Sequence, residues 1–177
     1  MIYLAHPRTA SVATSIALKH AGFEKLEPPS DHHSRLWDEG TPVTRANRAT
    51  WTVFTTVRNH WDTVVSWMFR RFRTRTAEEI LWDVETMRTA LDVRWVNDSR
   101  LWWLHGDDAD TILRYETLER DLRQLLAEHG IVLPHLNVLN ASSNRQTREY
   151  RRFYVPATQD YVASRFGDEA RRFGYVF

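Results

Sequence analysis

Short apolar runs alternate along the chain with longer segments in which apolar side chains recur at helical spacing. Residues 2–5 form a brief apolar run, and residues 51–57 are apolar, aromatic or threonine throughout, so both runs predict buried strands. Residues 12–21 and 61–73 show helical spacing instead. The first half of the chain therefore predicts a succession of strand–helix units.

The second half continues the alternation, which is typical of a parallel sheet covered by helices. Thr76 followed by Glu79 has the pattern of a capped helix start. We predict a single α/β domain over residues 1–177, with a central parallel sheet flanked by helices. Ligands bind such sheets at the carboxyl ends of the strands. The further predicted elements are strands at 23–27 and 111–115 and helices at 76–91, 118–128 and 158–172.

Composition narrows the classes of function. The 177 residues include no cysteine, which excludes disulfides, thiolate metal sites and cysteine nucleophiles. A net charge of +1 without a nucleic-acid-binding motif predicts no nucleic-acid partner. Without a bilayer-length apolar run or a basic leader, we expect no membrane partner and a cytoplasmic location.

The basic residues are almost all arginine, since only Lys19 and Lys25 of the 24 are lysines. The guanidinium group suits forked contacts to phosphate, although genomic base composition explains the excess of arginine equally well.

A phosphate-binding loop is predicted between the first strand and the first helix, in the segment Pro7-Arg8-Thr9-Ala10-Ser11. Backbone N–H groups converge at a helix start, and the helix dipole favours an anion there. Arg8 adds a fixed positive charge, while Thr9 and Ser11 add hydroxyl donors. The segment is neither a Walker A loop nor a dinucleotide-binding G-x-G-x-x-G. An ordinary strand–helix turn with hydroxyl caps is an equally supported alternative.

A second anion site is predicted at the end of the strongest strand. Arg58 follows that strand, and Ser66 comes eight residues later, about one turn into the next helix. The arginine fork and the serine hydroxyl together suit a phosphate group. In the alternative interpretation, Arg58 pairs with a carboxylate and Ser66 is a small packing residue.

These two motifs, in this order, resemble those of the sulfotransferases that use 3′-phosphoadenylyl sulfate (PAPS), in particular small bacterial members. In that family a loop of the form P-[KR]-[ST]-G-[ST] binds the 5′-phosphosulfate, and an arginine with a serine eight residues on binds the 3′-phosphate. The resemblance implies a P-loop-NTPase-like sulfotransferase fold and PAPS as co-substrate. The residues that it assigns to PAPS binding are Pro7, Arg8, Thr9, Ala10, Ser11, Val12, Arg58, Ser66 and Tyr115.

Further stretches extend the resemblance and mark its departures. Residues 113–122 look like the family's Y-E-D-L segment, whose tyrosine, here Tyr115, lies near the adenine, and residues 173–177 look like the ending of small bacterial members. Ala10 stands where the family has glycine, and Val12 where a hydroxyl is common. The family's Arg-Lys-Gly segment is absent. Its candidate replacements are Arg145, Arg148, Arg151 and Arg152.

Catalysis in this family needs a base for the acceptor proton and a cation for the leaving phosphate. The segment Asp31-His32-His33 follows the predicted second strand, where cytosolic members carry a K-x-H segment whose histidine is the base. We therefore assign the base to His33, with His32 in reserve, and charge neutralisation to Arg8. Asp and His also ligate zinc, but adjacent histidines rarely close a site alone, and we expect no metal.

The expected function is transfer of a sulfonyl group from PAPS to a hydroxyl or amine of a small-molecule or carbohydrate acceptor. Two alternatives stay open. A kinase-like phosphotransferase requires magnesium and an acidic strand end, and no convincing Walker B aspartate follows an apolar strand. A catalytically degenerate module that retains only the nucleotide site binds without turnover.

Overall fold

The computed structural model describes residues 1–5, 8–23, 43–92, 108–133, 136, 145 and 147–177. The chain divides by its internal contacts into two units. Unit 1 comprises residues 1–57 and 102–140, and unit 2 comprises residues 58–101 and 141–177.

The described elements are three strands, with helices between and after them along the chain. The strands are β1 (Ile2–Leu4), β2 (Val53–Val57) and β3 (Thr111–Arg114). The helices are α1 (Ser11–His20), α2 (His60–Arg71), α3 (Val84–Leu91), α4 (Leu118–Ala127) and α5 (Pro156–Arg172). Short 3₁₀ helices cover Arg48–Thr50, Tyr115–Thr117 and Tyr150–Phe153.

Unit 1 is built on a parallel sheet in which β2 lies between β1 and β3. All five residues of β2 are buried. Successive side chains of a strand point to opposite faces. Phe54 packs with a leucine-rich cluster from α1, β3 and α4, whereas Val53 packs with a second cluster that contains Ile2 and Leu4. Burial on both faces explains why this strand reads as an unbroken apolar and threonine run.

A charged clamp fixes the start of β2 to the start of β3. Asp110 Oδ1 lies 2.9 Å from Arg48 Nη2, and the Val53 N–H donates to Asp110 Oδ2 at 2.8 Å. The Asp110 N–H in turn donates to the Val53 carbonyl at 2.7 Å. The Arg48 guanidinium, with smaller help from the Val53 N–H, lowers the pKa of Asp110 against the opposing effect of burial.

Unit 2 is organised around α2. The helix packs against α3, α5 and the 3₁₀ helix Tyr150–Phe153. Every residue from 60 to 66 is buried, and Met68 and Phe69 continue the buried face. Asn59 caps the helix, since its Oδ1 accepts from the backbone N–H of Trp61 at 3.0 Å and of Asp62 at 3.3 Å.

The predicted α/β class and its parallel sheet are confirmed, with corrections at individual elements. Of the apolar residues that give residues 12–21 their helical spacing, Val12 and Ile16 are 47% and 38% exposed. The buried face of α1 carries Ala13, Thr14, Ala17 and Leu18 instead. Two of these residues, Ala17 and Leu18, belong to the cluster that contains Phe54 of β2 and Leu113 of β3.

The helix predicted from residue 76 begins only at Val84. The Thr76–Glu79 pair does form its cap contact, because Glu79 Oε2 accepts from the Thr76 N–H at 2.7 Å. A turn follows, however, and Asp83 starts the helix by accepting from the Thr86 N–H at 2.7 Å. Both segments form the contact of a helix cap, but the helix begins after the second one.

Several predicted segments fall outside the described residues, among them most of the strand at 23–27. The candidate residues Arg151 and Arg152 lie in the 3₁₀ helix Tyr150–Phe153. None of the described helices is long and apolar enough to cross a membrane.

Candidate functional site

The loop before α1 has an unusual backbone. Arg8 and Ala10 adopt positive φ angles of 62° and 63°, and Ala10 is the left-handed N-cap of the helix. A Cβ in this conformation crowds the following carbonyl oxygen, so glycine is favoured there. Ala10 offers no side-chain oxygen to the first N–H groups of α1, and no acidic residue lies in the first turn. This helix end therefore keeps its positive character.

A cluster of buried hydroxyls attaches this loop to the sheet. Thr9 Oγ1 lies 2.6 Å from Thr56 Oγ1, which in turn lies 3.1 Å from the Tyr3 hydroxyl. Burial raises the pKa of Tyr3, against the opposing effect of the hydroxyls of Thr56, Thr14 and Thr9. The Thr9 side chain, predicted as a donor to phosphate, thus contacts Thr56 and positions the loop against β2.

Arg58, the first residue after β2, pairs with a carboxylate on α2. Arg58 Nε donates to Asp62 Oδ2 at 2.8 Å, and Arg58 Nη2 lies 2.7 Å from the same oxygen. Ser66, which is buried, lies one turn further along the same face of α2 as Asp62. The Arg58–carboxylate pair named in the alternative interpretation is therefore present, and the anion site stays a prediction.

Arg145 joins the same carboxylate from the late polar segment. Its Nη2 lies 2.6 Å from Asp62 Oδ1, and its guanidinium also donates to the backbone carbonyls of Thr147 at 2.8 Å and Arg148 at 3.1 Å. Asp62 therefore links two arginines that are 87 positions apart in sequence, 58 and 145.

The other candidate arginines of this segment have different surroundings. The Arg151 guanidinium lies over the rings of Tyr150 and Phe177, at 4.9 and 5.8 Å from their centroids. The Arg152 guanidinium lies 5.8 Å from the centroid of Phe153, and Arg148 is exposed. Of the four candidates, Arg145 is the one that the structure brings beside Arg58 and Asp62.

The backbone around Arg58 is held by polar contacts from the C-terminal part of unit 2. Asn59 Nδ2 donates to the Tyr150 hydroxyl at 3.3 Å and to the Val176 carbonyl at 3.4 Å. The Tyr154 hydroxyl donates to the Trp61 carbonyl at 2.8 Å. Burial, together with the nearby Asp62 carboxylate, raises the pKa of Tyr154, so this phenol remains a proton donor.

A buried acid–imidazole pair lies at the start of α2, and the sequence analysis did not single it out. His60 Nε2 lies 3.4 Å from Glu169 Oε2, and the rings of Phe166, Phe173 and Tyr175 surround the imidazole at centroid distances of 6.3, 6.5 and 6.3 Å. Burial raises the pKa of Glu169, while His60 and Arg172 oppose that shift.

The sequence carries a signal for only one of these contacts. Arg58 and Asp62 are four residues apart, a spacing that predicts an ion pair on one helix face, whereas no local pattern indicates the pair of His60 and Glu169.

The remaining predicted site residues are distributed as follows. In unit 1, Ser11 and Val12 occupy the first turn of α1, and Tyr115 begins the 3₁₀ helix after β3. Pro7, His32 and His33 lie outside the described residues. In the part of the chain that the structure describes, no group of three His, Asp or Glu side chains is arranged to hold a metal ion.

Known proteins offer no guide beyond this geometry. No protein-family model, curated protein or solved structure matches the chain.

Proposed function

We propose that the protein is a PAPS-dependent sulfotransferase that transfers a sulfonyl group to a hydroxyl or amine of a small-molecule or carbohydrate acceptor. The observation that carries the proposal is the backbone at Ala10. Its left-handed conformation, with φ 63° and ψ 25°, occurs at the position where sulfotransferases have glycine. This observation supports the proposal because the residue that departs from the family's glycine lies in a backbone conformation that favours glycine.

The loop before α1 is assigned to the phosphosulfate end of the donor. Arg8 supplies a guanidinium, and Ser11 and Val12 supply backbone N–H groups at the positive end of the α1 dipole. In the reaction these groups neutralise the charge that grows on the leaving phosphate as its bond to sulfur breaks. The hydrogen bond between Thr9 and Thr56 supports this assignment, because it fixes the loop before any ligand arrives.

The segment around the start of α2 is assigned to the 3′-phosphate. Arg58 and Arg145 supply two guanidinium groups beside Asp62, and Ser66 supplies a hydroxyl on the same helix face. Tyr115 is assigned to the adenine, as the resemblance implies. PAPS carries a 3′-phosphate that other adenine nucleotides, such as adenosine 5′-phosphate, lack. We therefore assign to this cluster the selection of PAPS as the donor.

The proposed chemistry needs no metal. His33, or His32 in its place, accepts the proton of the acceptor hydroxyl or amine as its oxygen or nitrogen bonds to sulfur. Arg8 stabilises the departing phosphate, and adenosine 3′,5′-bisphosphate is released. Alignment and charge neutralisation supply the rate enhancement, as in phosphoryl transfer.

Titration calorimetry tests the proposal with two nucleotides. We expect tight binding of adenosine 3′,5′-bisphosphate without magnesium, and no preference for ATP with magnesium. Arg58→Ala is expected to weaken bisphosphate binding about 10- to 100-fold, since it removes a charge-assisted contact. Arg88→Ala, which removes an exposed arginine paired with Glu85 on α3, is the matched control and leaves the affinity unchanged.

Turnover is then measured with labelled PAPS across a panel of hydroxyl and amine acceptors. His33→Ala or His32→Ala is expected to abolish transfer while nucleotide affinity survives. A preference for ATP with magnesium would instead indicate a kinase-like phosphotransferase. Bisphosphate binding without transfer to any acceptor would indicate a nucleotide-binding module.

A further inference from the structure

The carboxylate of Asp62 is shared between two arginines, one on each of its oxygens. Oδ2 contacts Nε and Nη2 of Arg58 at 2.8 and 2.7 Å, and Oδ1 contacts Nη2 of Arg145 at 2.6 Å. The three side chains are only 8%, 12% and 10% exposed, in the order Arg58, Asp62, Arg145. Ionised groups this far from water are costly unless each has a partner in good geometry.

This arrangement fixes the plane of each guanidinium. Two nitrogens along one edge of Arg58 meet a single carboxylate oxygen, which sets the rotation of the fork. Arg145 is held by Asp62 and by two backbone carbonyls of its own segment. A fixed plane is what bidentate recognition of a phosphate requires, whereas a freely rotating arginine must be ordered on binding.

Asp62 also offsets the repulsion between the two cations. Two guanidinium groups and one carboxylate leave a cluster with one net positive charge, which an added anion neutralises or exceeds. Without the carboxylate, the like charges of Arg58 and Arg145 repel strongly in this poorly solvated place. Asp62 thus reduces the total positive charge while keeping both forks together, and these two effects on anion binding have opposite signs.

We infer that Asp62 is a positioning residue that sets the selectivity for a 3′-phosphate by holding Arg58 and Arg145 as one rigid double fork. The inference rests on the proposed function. The negative charge of Asp62 weakens the electrostatic attraction of the cluster for any anion. By holding the two arginines in place, Asp62 raises the affinity for a nucleotide with a 3′-phosphate relative to one without it.

The test compares two nucleotides that differ in that phosphate alone, adenosine 3′,5′-bisphosphate and adenosine 5′-phosphate. Calorimetry gives the ratio of their affinities for the wild type, for Asp62→Asn, and for the control Asp168→Asn, whose carboxylate pairs with Arg171 on the exposed side of α5. We expect Asp62→Asn to reduce the ratio about tenfold or more. The affinity for adenosine 5′-phosphate should change less than about twofold, and the control should match the wild type.

The outcomes separate the inference from the proposed function. If the wild type binds both nucleotides equally, the proposed function fails. If the wild type prefers the bisphosphate and Asp62→Asn keeps the same ratio of affinities, the positioning role is overturned and Asp62 acts only through its charge. Thermal melting of each variant shows whether it is folded. If Asp62→Asn does not fold, Asp62→Glu retains the charge, displaces the carboxylate by one methylene, and is expected to lose the same preference.

Discussion

At the scale of single residues, Ala10 retains a methyl group in a backbone region that suits glycine. Its φ of 63° is left-handed, and its partly buried methyl group packs against the leucine-rich cluster. A left-handed conformation costs a residue with a Cβ about 1–2 kcal/mol. Glycine avoids that cost but loses about 0.5–1 kcal/mol of additional chain entropy on folding. The balance slightly favours glycine.

We therefore expect Ala10→Gly to raise the free energy of unfolding by about 0.5–1 kcal/mol, measured by urea denaturation. Ala163→Gly, in the middle of α5, is the matched control and should lower it by about 1 kcal/mol, because a helix interior has no use for the added freedom. Equal destabilisation by the two substitutions would show that Ala10 is not left-handed in solution.

At the scale of elements, apolar periodicity predicted which segments are strands and which are helices, but it did not predict their partners. The segments that form β1, β2 and β3 are short runs rich in apolar and β-branched residues, which is typical of strands. The corrected start of α3 shows the limit of local signals, because two cap patterns seven residues apart, at 76 and 83, compete for one helix. The contact between Asp62 and Arg145 spans 83 residues, and no local pattern specifies it.

The hydroxyl cluster shows how elements position the candidate site. Thr56 on β2 lies within hydrogen-bond distance of both Tyr3 on β1 and Thr9 in the loop before α1, and it is fully buried. Valine has nearly the same shape as threonine but cannot make either contact. Removing one partner of a buried hydrogen bond destabilises the fold by more than the bond itself contributes, because the remaining polar group is left buried with neither a partner nor water.

Thr56→Val is accordingly expected to lower the free energy of unfolding by about 1–3 kcal/mol. If the loop binds the phosphosulfate end as proposed, the same variant should weaken the affinity for adenosine 5′-phosphate, measured by calorimetry. Thr89→Val, at an exposed position of α3, should change neither quantity appreciably. An unchanged stability in Thr56→Val would mean that the loop does not depend on this contact.

At the scale of the whole molecule, the net charge of +1 includes contributions from two kinds of ionic group, exposed ion pairs and buried carboxyls. Exposed pairs such as Arg88–Glu85 and Arg123–Glu119 are screened by water and contribute little to stability. The carboxyl of Glu169 is different, because it is mostly buried and one of its oxygens finds no hydrogen-bond partner within the described part of the chain. The pH dependence of unfolding should therefore depend on buried carboxyls far more than on the net charge of +1.

Burial raises the pKa of Glu169 above its ordinary value of 4.5, so the folded protein holds this proton more tightly than the unfolded chain does. The stability that follows is fully present below pH 4.5 and is lost as the pH rises through the raised value. We expect Glu169→Gln, which cannot ionise, to remove this decline, so that the variant gains stability relative to the wild type as the pH increases. Urea denaturation from acid to neutral pH measures the difference curve, and Glu128→Gln, exposed just after α4, should give a flat one. The lowered pKa of Asp110 changes stability in the opposite direction, but it does so equally in the wild type and in Glu169→Gln, so it cancels in the difference curve. A flat difference curve for Glu169→Gln would show that His60 and Arg172 compensate the effect of burial on Glu169 completely.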